Sequence, residues 1–211
     1  MLTLDLNIDP DLMPAPAQSR SRETQQRLLD AGWRLLRKKS WDEISVADIA
    51  KTAGRSVGVF YQRFRSREDY LSVLLAEWVE SGYRVLDRMA EETPDDRLVD
   101  TFVSGALATI TENNNLWRAA LYRSFNEPDT REPFQALMDH RLKLFIQRVE
   151  KAKRKKLTAK ERKQIAVAFQ MSNSFINQAL LLDPGPARIT DKEFLEVINT
   201  LFRRACAFDL P

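Results

Sequence analysis

Residue types that carry chemistry are scarce in this 211-residue chain. Cys206 is its one cysteine and His140 its one histidine. A lone cysteine excludes an intramolecular disulfide, and a cytoplasmic location is expected. Zinc centres draw on several Cys or His ligands, and Cys–His catalysis needs both partners in reach. The chain has almost nothing to offer either. A carboxylate-bridged metal pair in a helical bundle needs Glu-x-x-His motifs, but Leu137 stands three residues before His140. There are 6 glycines, and none builds a glycine-rich phosphate loop. No stretch reaches the roughly 20 apolar residues of a membrane span. Met1–Pro10 has no basic flank and no long apolar run, so no secretory signal is expected there. These absences predict no enzyme, no metal, no cofactor and no membrane partner.

What is present fits a soluble helical protein. Apolar residues make up 44% and charged residues 30%, ordinary proportions for a globular chain. Long β-branched runs are lacking. The net charge of +3 conceals strong segregation. Residues 20–67 hold 12 Lys+Arg against 5 Asp+Glu, whereas residues 68–100 hold 3 against 10. A compact basic segment suits a polyanion, although a solvated helix face has the same composition.

Residues 1–20 mix prolines and aspartates without an amphipathic period and read as a disordered tail. Helical periodicity begins at Ser21, with Leu28, Leu29, Gly32, Leu35 and Leu36 on one face. Ser45-Val46-Ala47-Asp48 is a start signal, with Ser45 as cap and Asp48 at the positive helix end. Gly54 stops that helix, Ser56 starts another short one, and Ser66-Arg67-Glu68-Asp69 opens a long helix to about Glu92. Thr158-x-x-Glu161 and Thr190-x-x-Glu193 read as capping boxes. In all, about nine helices and no strand are predicted.

Residues 45–64 thus form a short helix, a glycine turn and a second short helix, the helix-turn-helix arrangement. Val46, Ile49, Ala50 and Ala53 give the first helix a buried face. Phe60 and Phe64, four apart, pack on the same core. Ser56, Val57, Gly58, Gln62 and Arg63 are left nearer the outside. Gly58 would let another backbone approach, either DNA or a neighbouring helix.

The strings R-L-L-D-A-G-W-R-L-L and S-V-A-D-I-A-K-T-A-G-R-S-V-G-V-F-Y-Q-R-F-R-S-R-E-D-Y-L resemble the DNA-binding region of the TetR family. The resemblance covers residues 22–75. It implies an all-α homodimer with an N-terminal three-helix DNA-binding region and a larger helical domain for ligand binding and dimerisation. The domain boundaries expected are 1–20, 21–67 and 68–211. The implied partners are double-stranded operator DNA, a second copy of the chain and an unidentified small molecule. By position, Ser45 caps the second helix near phosphate, Tyr61 reaches the DNA backbone, and Arg67 meets phosphate. Val57, Gly58, Gln62 and Arg63 fall nearest the bases, with Arg55 and Ser56 beside them. Val57 and Val59 replace polar residues common in the family, which predicts thin direct readout. Ser40 replaces the usual glycine after the first helix, which predicts a strained turn. Arg20 and Arg22 suit a minor-groove arm or an idle basic tail.

Beyond Tyr70 no family match is legible. Trp78, Phe102, Trp117, Tyr122, Phe125 and His140 are candidate ligand-binding residues, since such pockets are apolar with few polar groups. The same residues suit a core. Residues 159–182 and 191–208 form the last two helices, and their apolar arcs are wide enough for two contacts. Phe169, Asn173, Ile176, Leu180, Val197 and Leu201 are the candidate dimer interface. Lys151–Lys156 is a basic run that reads first as a solvated loop. The competing functions are a helix-turn-helix protein without ligand control, and an activator rather than a repressor.

Overall fold

A computed structural model describes residues 19–182 and 185–211. The tail expected over 1–20 lies outside the described residues, except that its last two positions already belong to the first helix. The described residues form nine α-helices and no strand: α1 Ser19–Leu36, α2 Val46–Ala53, α3 Val57–Tyr61, α4 Arg67–Glu92, α5 Leu98–Glu112, α6 Asn114–Asn126, α7 Glu132–Lys153, α8 Ala159–Leu182 and α9 Phe194–Cys206. The fold is the expected all-α one, with an N-terminal helix-turn-helix region.

The chain divides into two compact units. The first holds the described residues up to Ser81 together with Asn113–Pro133. The second holds Gly82–Glu112 and Phe134–Pro211. This division departs from the boundary expected at 67/68, and α6 is the reason. Its Asn115 Nδ2 donates to the Leu36 carbonyl at 2.8 Å, closing the C-terminal end of α1. Trp117 lies 5.2 Å from Trp78 of α4, ring centroid to centroid. Arg123 donates to the Glu68 carbonyl at 3.3 Å and to the Ser72 hydroxyl. Long-range contacts of this kind leave no periodic trace in sequence.

The core of the first unit is aromatic. Phe60, Phe64 and Tyr70 are essentially fully buried, with centroid separations of 5.2, 5.3 and 4.8 Å around the triangle. Pairs at such distances add about 0.5–1.5 kcal/mol each beyond their area burial. The Tyr70 hydroxyl donates to the Leu28 carbonyl at 2.6 Å. A Cβ on Gly32 would fall 2.1 Å from that hydroxyl oxygen, so α1 and α4 meet where only glycine fits. The turn between α1 and α2 is not strained as expected. Ser40 is extended at φ −65° and ψ 156°, a conformation open to any residue. Its N–H and hydroxyl both reach Glu43 Oε2, at 2.9 and 2.7 Å.

The second unit packs Phe102, Phe145, Phe169 and Phe202 edge to face, with centroids 4.8–5.6 Å apart. Thr158 caps α8 as expected: Glu161 N donates to its hydroxyl at 3.2 Å, and Thr158 N donates to Glu161 Oε2 at 2.7 Å. The box expected at Thr190–Glu193 does not form. The Asp191 carboxylate instead accepts from Arg188 N at 2.7 Å, and α9 begins only at Phe194. The basic run at 151–156 is partly consumed internally. Lys153 donates to the Asp209 carbonyl, and Lys156 pairs with buried Glu150 at 2.8 Å. By length and composition α8 could cross a membrane, contrary to the expectation that no stretch could. Its Ile165, Ala168, Phe169, Ile176 and Leu180 are buried within the unit.

Candidate nucleic-acid interface

The helix-turn-helix is assembled by three local devices. At the start of α2, Ser45 Oγ accepts from Asp48 N at 3.1 Å. The Asp48 carboxylate accepts in return from Ser45 Oγ at 2.6 Å and Ser45 N at 3.0 Å. The Ser45 hydroxyl, then its backbone N–H, hold the Asp48 carboxyl below the usual range. At the turn, Gly54 adopts φ 65° and ψ 40°, the left-handed conformation that L side chains resist. Its N–H reaches the Ala50 and Lys51 carbonyls, and Arg55 N donates to Ala50 O at 2.9 Å. These bonds satisfy carbonyls that a helix end leaves open. At the start of α3, Ser56 Oγ accepts from Val59 N at 3.3 Å.

These devices present one face of α3 to the outside. Phe60 turns into the core, while Ser56, Val57, Gly58, Tyr61 and Gln62 are exposed. Val57 is 41% exposed and Tyr61 54%, large values for apolar and aromatic groups. A Cβ on Gly58 would meet only Ser56 Oγ, at 3.8 Å. Among the described residues no neighbouring helix uses the close approach that glycine allows.

The cations differ in their commitments. Arg65 pairs with Asp69 at 3.0 Å. Arg67 lies 4.3 Å over the Trp41 ring and donates to the Trp41 carbonyl, pinning the turn after α1 to the start of α4. Any phosphate contact by Arg67 shares its guanidinium with that anchor. Arg55 Nη1 donates only to the neighbouring Gly54 carbonyl, at 3.0 Å. Arg63 Nε is buried without a hydrogen-bond partner. Among the described residues neither Arg55 nor Arg63 is paired with a carboxylate. Arg22 sits on the exposed side of α1 rather than in a loose arm.

Sequence reasoning missed a surface groove of about 740 Å³ beside the turn, lined by Arg27, Trp33, Arg34, Thr52 and Gly54 among others. Arg34 Nη2 donates across it to the Thr52 carbonyl at 3.0 Å. Only the charge count of 20–67 hinted at this basic surface.

The six candidate ligand residues are not brought together. Trp78, Trp117, Tyr122 and Phe125 belong to the first unit, Phe102 and His140 to the second. Trp78 and Trp117 pack on each other, whereas Tyr122 and Phe125 are 73% and 72% exposed. Phe102 is fully buried against Phe145. His140 Nε2 lies 2.7 Å from Asp87 Oδ1, with its ring 5.0 Å from Tyr83. Of the six candidate interface residues, Phe169, Ile176 and Leu180 are inside their own unit. Asn173 is half-buried and bonded to Arg141 at 3.1 Å. Val197 and Leu201 are exposed, as are Val167, Met171 and Leu182 of α8.

Fold and site together define a helix-turn-helix protein with a C-terminal helical unit. Residues 28–72 match the family model of bacterial regulatory proteins, tetR family. The match is confined to the N-terminal region that carries the helix-turn-helix. YwcC of Bacillus subtilis strain 168, an uncharacterized HTH-type transcriptional regulator, is 35% identical over 88 residues. That match spans 39% of this chain and 39% of YwcC. Among solved structures, GusR of Salmonella enterica superposes with a TM-score of 0.61 at 17% identity, covering 88% of this chain and 96% of GusR. FadR of Bacillus subtilis, solved in complex with stearoyl-CoA, gives 0.56 at 15% identity, covering 87% and 98%. At these identities the structural likenesses speak for the fold.

Proposed function

We propose that this chain is a sequence-specific DNA-binding transcriptional regulator, a repressor that a small-molecule ligand releases from its operator. One observation carries the first half: the outer face of α3 is exposed and mounted on a locally capped scaffold, and its Gly58 leaves room that nothing else among the described residues fills. A DNA backbone or base edge suits that room. Arg55 and Arg63 supply charge that no carboxylate among the described residues neutralises. Arg55, beside the turn, is suited to phosphate, and Arg63 to a base edge or a neighbouring phosphate. Val57 offers a methyl group to thymine at most.

The ligand half rests on the helical second unit and on the acyl-CoA complex of one structural neighbour. A homodimer would place two recognition helices about 34–36 Å apart, one turn of B-DNA, or a multiple of it. The exposed Val167, Met171, Leu182, Val197 and Leu201 are the residues of α8 and α9 suited to that contact. A ligand shifts the DNA-competent state only by its differential affinity for two conformations. The long helix α4 runs from the first unit into the second and is the natural transmitter.

Fluorescence anisotropy tests the first half, using DNA from upstream of the chain's own gene against random DNA over a salt series. Preferential binding that survives moderate salt is expected. In Arg63→Ala, a lost base contact of about 1–3 kcal/mol weakens operator binding roughly 5- to 150-fold without comparable loss of fold stability. Equal operator binding by mutant and parent would refute the role of Arg63.

A further inference from the structure

Three charged side chains are buried among the described residues: Glu77, Glu150 and Arg141. Two have an outlet. Burial raises the Glu77 carboxyl pKa, favouring its neutral form, while Trp33 Nε1 donates to it at 2.8 Å. Glu150 is paired with Lys156 and Arg162 and accepts from Leu157 N at 3.0 Å. Arg141 has neither outlet. It is 3% exposed, and among the described residues its side-chain partners are a carbonyl and an amide, with no carboxylate.

Its surroundings are neutral. Nη2 donates to the Phe102 carbonyl at 2.8 Å and Nη1 to Asn173 Oδ1 at 3.1 Å. The guanidinium lies 4.4 Å over the Phe169 ring, and Nε has no partner. Two of the five N–H donors of a guanidinium therefore have protein acceptors. Burial pushes its pKa down to about 9, so the group remains a cation at neutral pH. Arg148, two turns along the same helix, provides the contrast: it reaches the Ala90 and Thr93 carbonyls and also the Asp95 carboxylate, at 2.8 Å. Ser172 Oγ, another of the buried polar atoms without a hydrogen-bond partner, stands next to Asn173 in α8; the Nε of Arg148 also lacks one, so the contrast between the two arginines is the carboxylate. Carbonyl, amide and ring offset part of the desolvation cost of Arg141, but none supplies the missing charge.

We propose that Arg141 anchors a ligand site in the second unit that takes a small organic carboxylate carried on an apolar body. The planar fork of a guanidinium fits a carboxylate bidentately. Phe102, Phe145, Phe169 and Phe202 are buried and packed on one another beside it, so an apolar body enters only by parting these rings. One buried cation balances one carboxylate, whereas a phosphate dianion would leave excess charge in the same surroundings. Arg141 of α7 is bonded to both α5 and α8. A carboxylate on its guanidinium competes with the Phe102 carbonyl and the Asn173 amide, and so acts on how these three helices are held. This deepens the ligand-controlled reading above and rests on it.

The test uses the full chain, with decanoate and phenylacetate as probes and the neutral amide of each as control. Thermal unfolding and calorimetric titration read binding. A carboxylate is expected to raise the Tm of the parent while its amide does not. Arg141→Met should fold, lose the carboxylate-dependent rise, and bind about 10- to 100-fold more weakly, the worth of a charge-assisted hydrogen bond. Arg141→Lys keeps the charge without the fork and should fall between the two, which preserves the test if the methionine variant does not fold. Absence of a carboxylate-specific shift in the parent, or undiminished carboxylate binding by the variants, would overturn the proposal. DNA anisotropy separates the two readings: a carboxylate that binds at Arg141 without changing DNA affinity leaves the site standing and removes ligand control.

Discussion

Replacing Gly32 with alanine sets two physical effects against each other. Glycine within a helix costs about 1 kcal/mol relative to alanine, so propensity alone predicts stabilisation. Packing predicts the reverse. The new Cβ would sit 2.1 Å from the Tyr70 hydroxyl oxygen, 2.9 Å from Tyr70 Cζ and 3.0 Å from Leu74 Cδ1. Tyr70 is fully buried and wedged against Phe60, Phe64 and Trp41. It can yield only by moving its hydroxyl away from the Leu28 carbonyl. Overpacking costs about 1–3 kcal/mol, and a buried hydroxyl left without its acceptor costs about 1–3 kcal/mol more. After the propensity gain, Gly32→Ala should destabilise by about 1–5 kcal/mol. All four tryptophans, at 33, 41, 78 and 117, lie in the first unit, so urea unfolding followed by tryptophan fluorescence reads the affected part. Tyr70→Phe removes the closest clashing atom. The double variant should therefore lose less stability than the two single variants together, with a coupling of about 1–3 kcal/mol. A neutral or stabilising Gly32→Ala would refute the argument that this helix crossing requires glycine.

Two further outcomes follow from the caps and the outer helices. Ser45→Ala should cost about 1 kcal/mol through loss of the cap of α2, measured by urea unfolding. Because Asp48 has a depressed folded-state pKa, its contribution is complete above the unfolded carboxylate pKa and is lost as pH falls through the folded value. The destabilisation caused by Ser45→Ala should accordingly shrink towards acid pH; a gap that stays constant there would contradict the linkage. For the proposed dimer, Leu201→Glu places a charge on an exposed apolar position of α9 and should shift light scattering from dimer to monomer at micromolar concentration. A variant as dimeric as the parent would remove α9 from the interface.

The helix-turn-helix was legible because its determinants lie close together in the chain. Ser45 and Asp48 are three residues apart, Ser56 caps the amide of Val59, and Gly54 needs only its own φ. Short-range preferences of this kind act before any tertiary contact forms, so residue types declare them directly. Ser40 and Thr190 show the limit of such reading. Ser40 adopted an extended conformation and was stabilised by Glu43, while Asp191 turned back to the Arg188 amide and displaced the start of α9. Periodicity also revealed that α8 and α9 have wide apolar arcs, but not how each arc is shared between the chain's own core and the outside. Tertiary packing assigned Phe169, Ile176 and Leu180 to the interior and left Val167, Met171, Val197 and Leu201 exposed. It likewise joined α6 to the N-terminal helices and enclosed Arg141 without a carboxylate partner among the described residues. The amino-acid sequence by itself determined the all-helical class and the local architecture of the helix-turn-helix, because these depend on neighbours along the chain. Only the tertiary structure decided which groups are desolvated and unpaired, because burial depends on segments far apart in sequence.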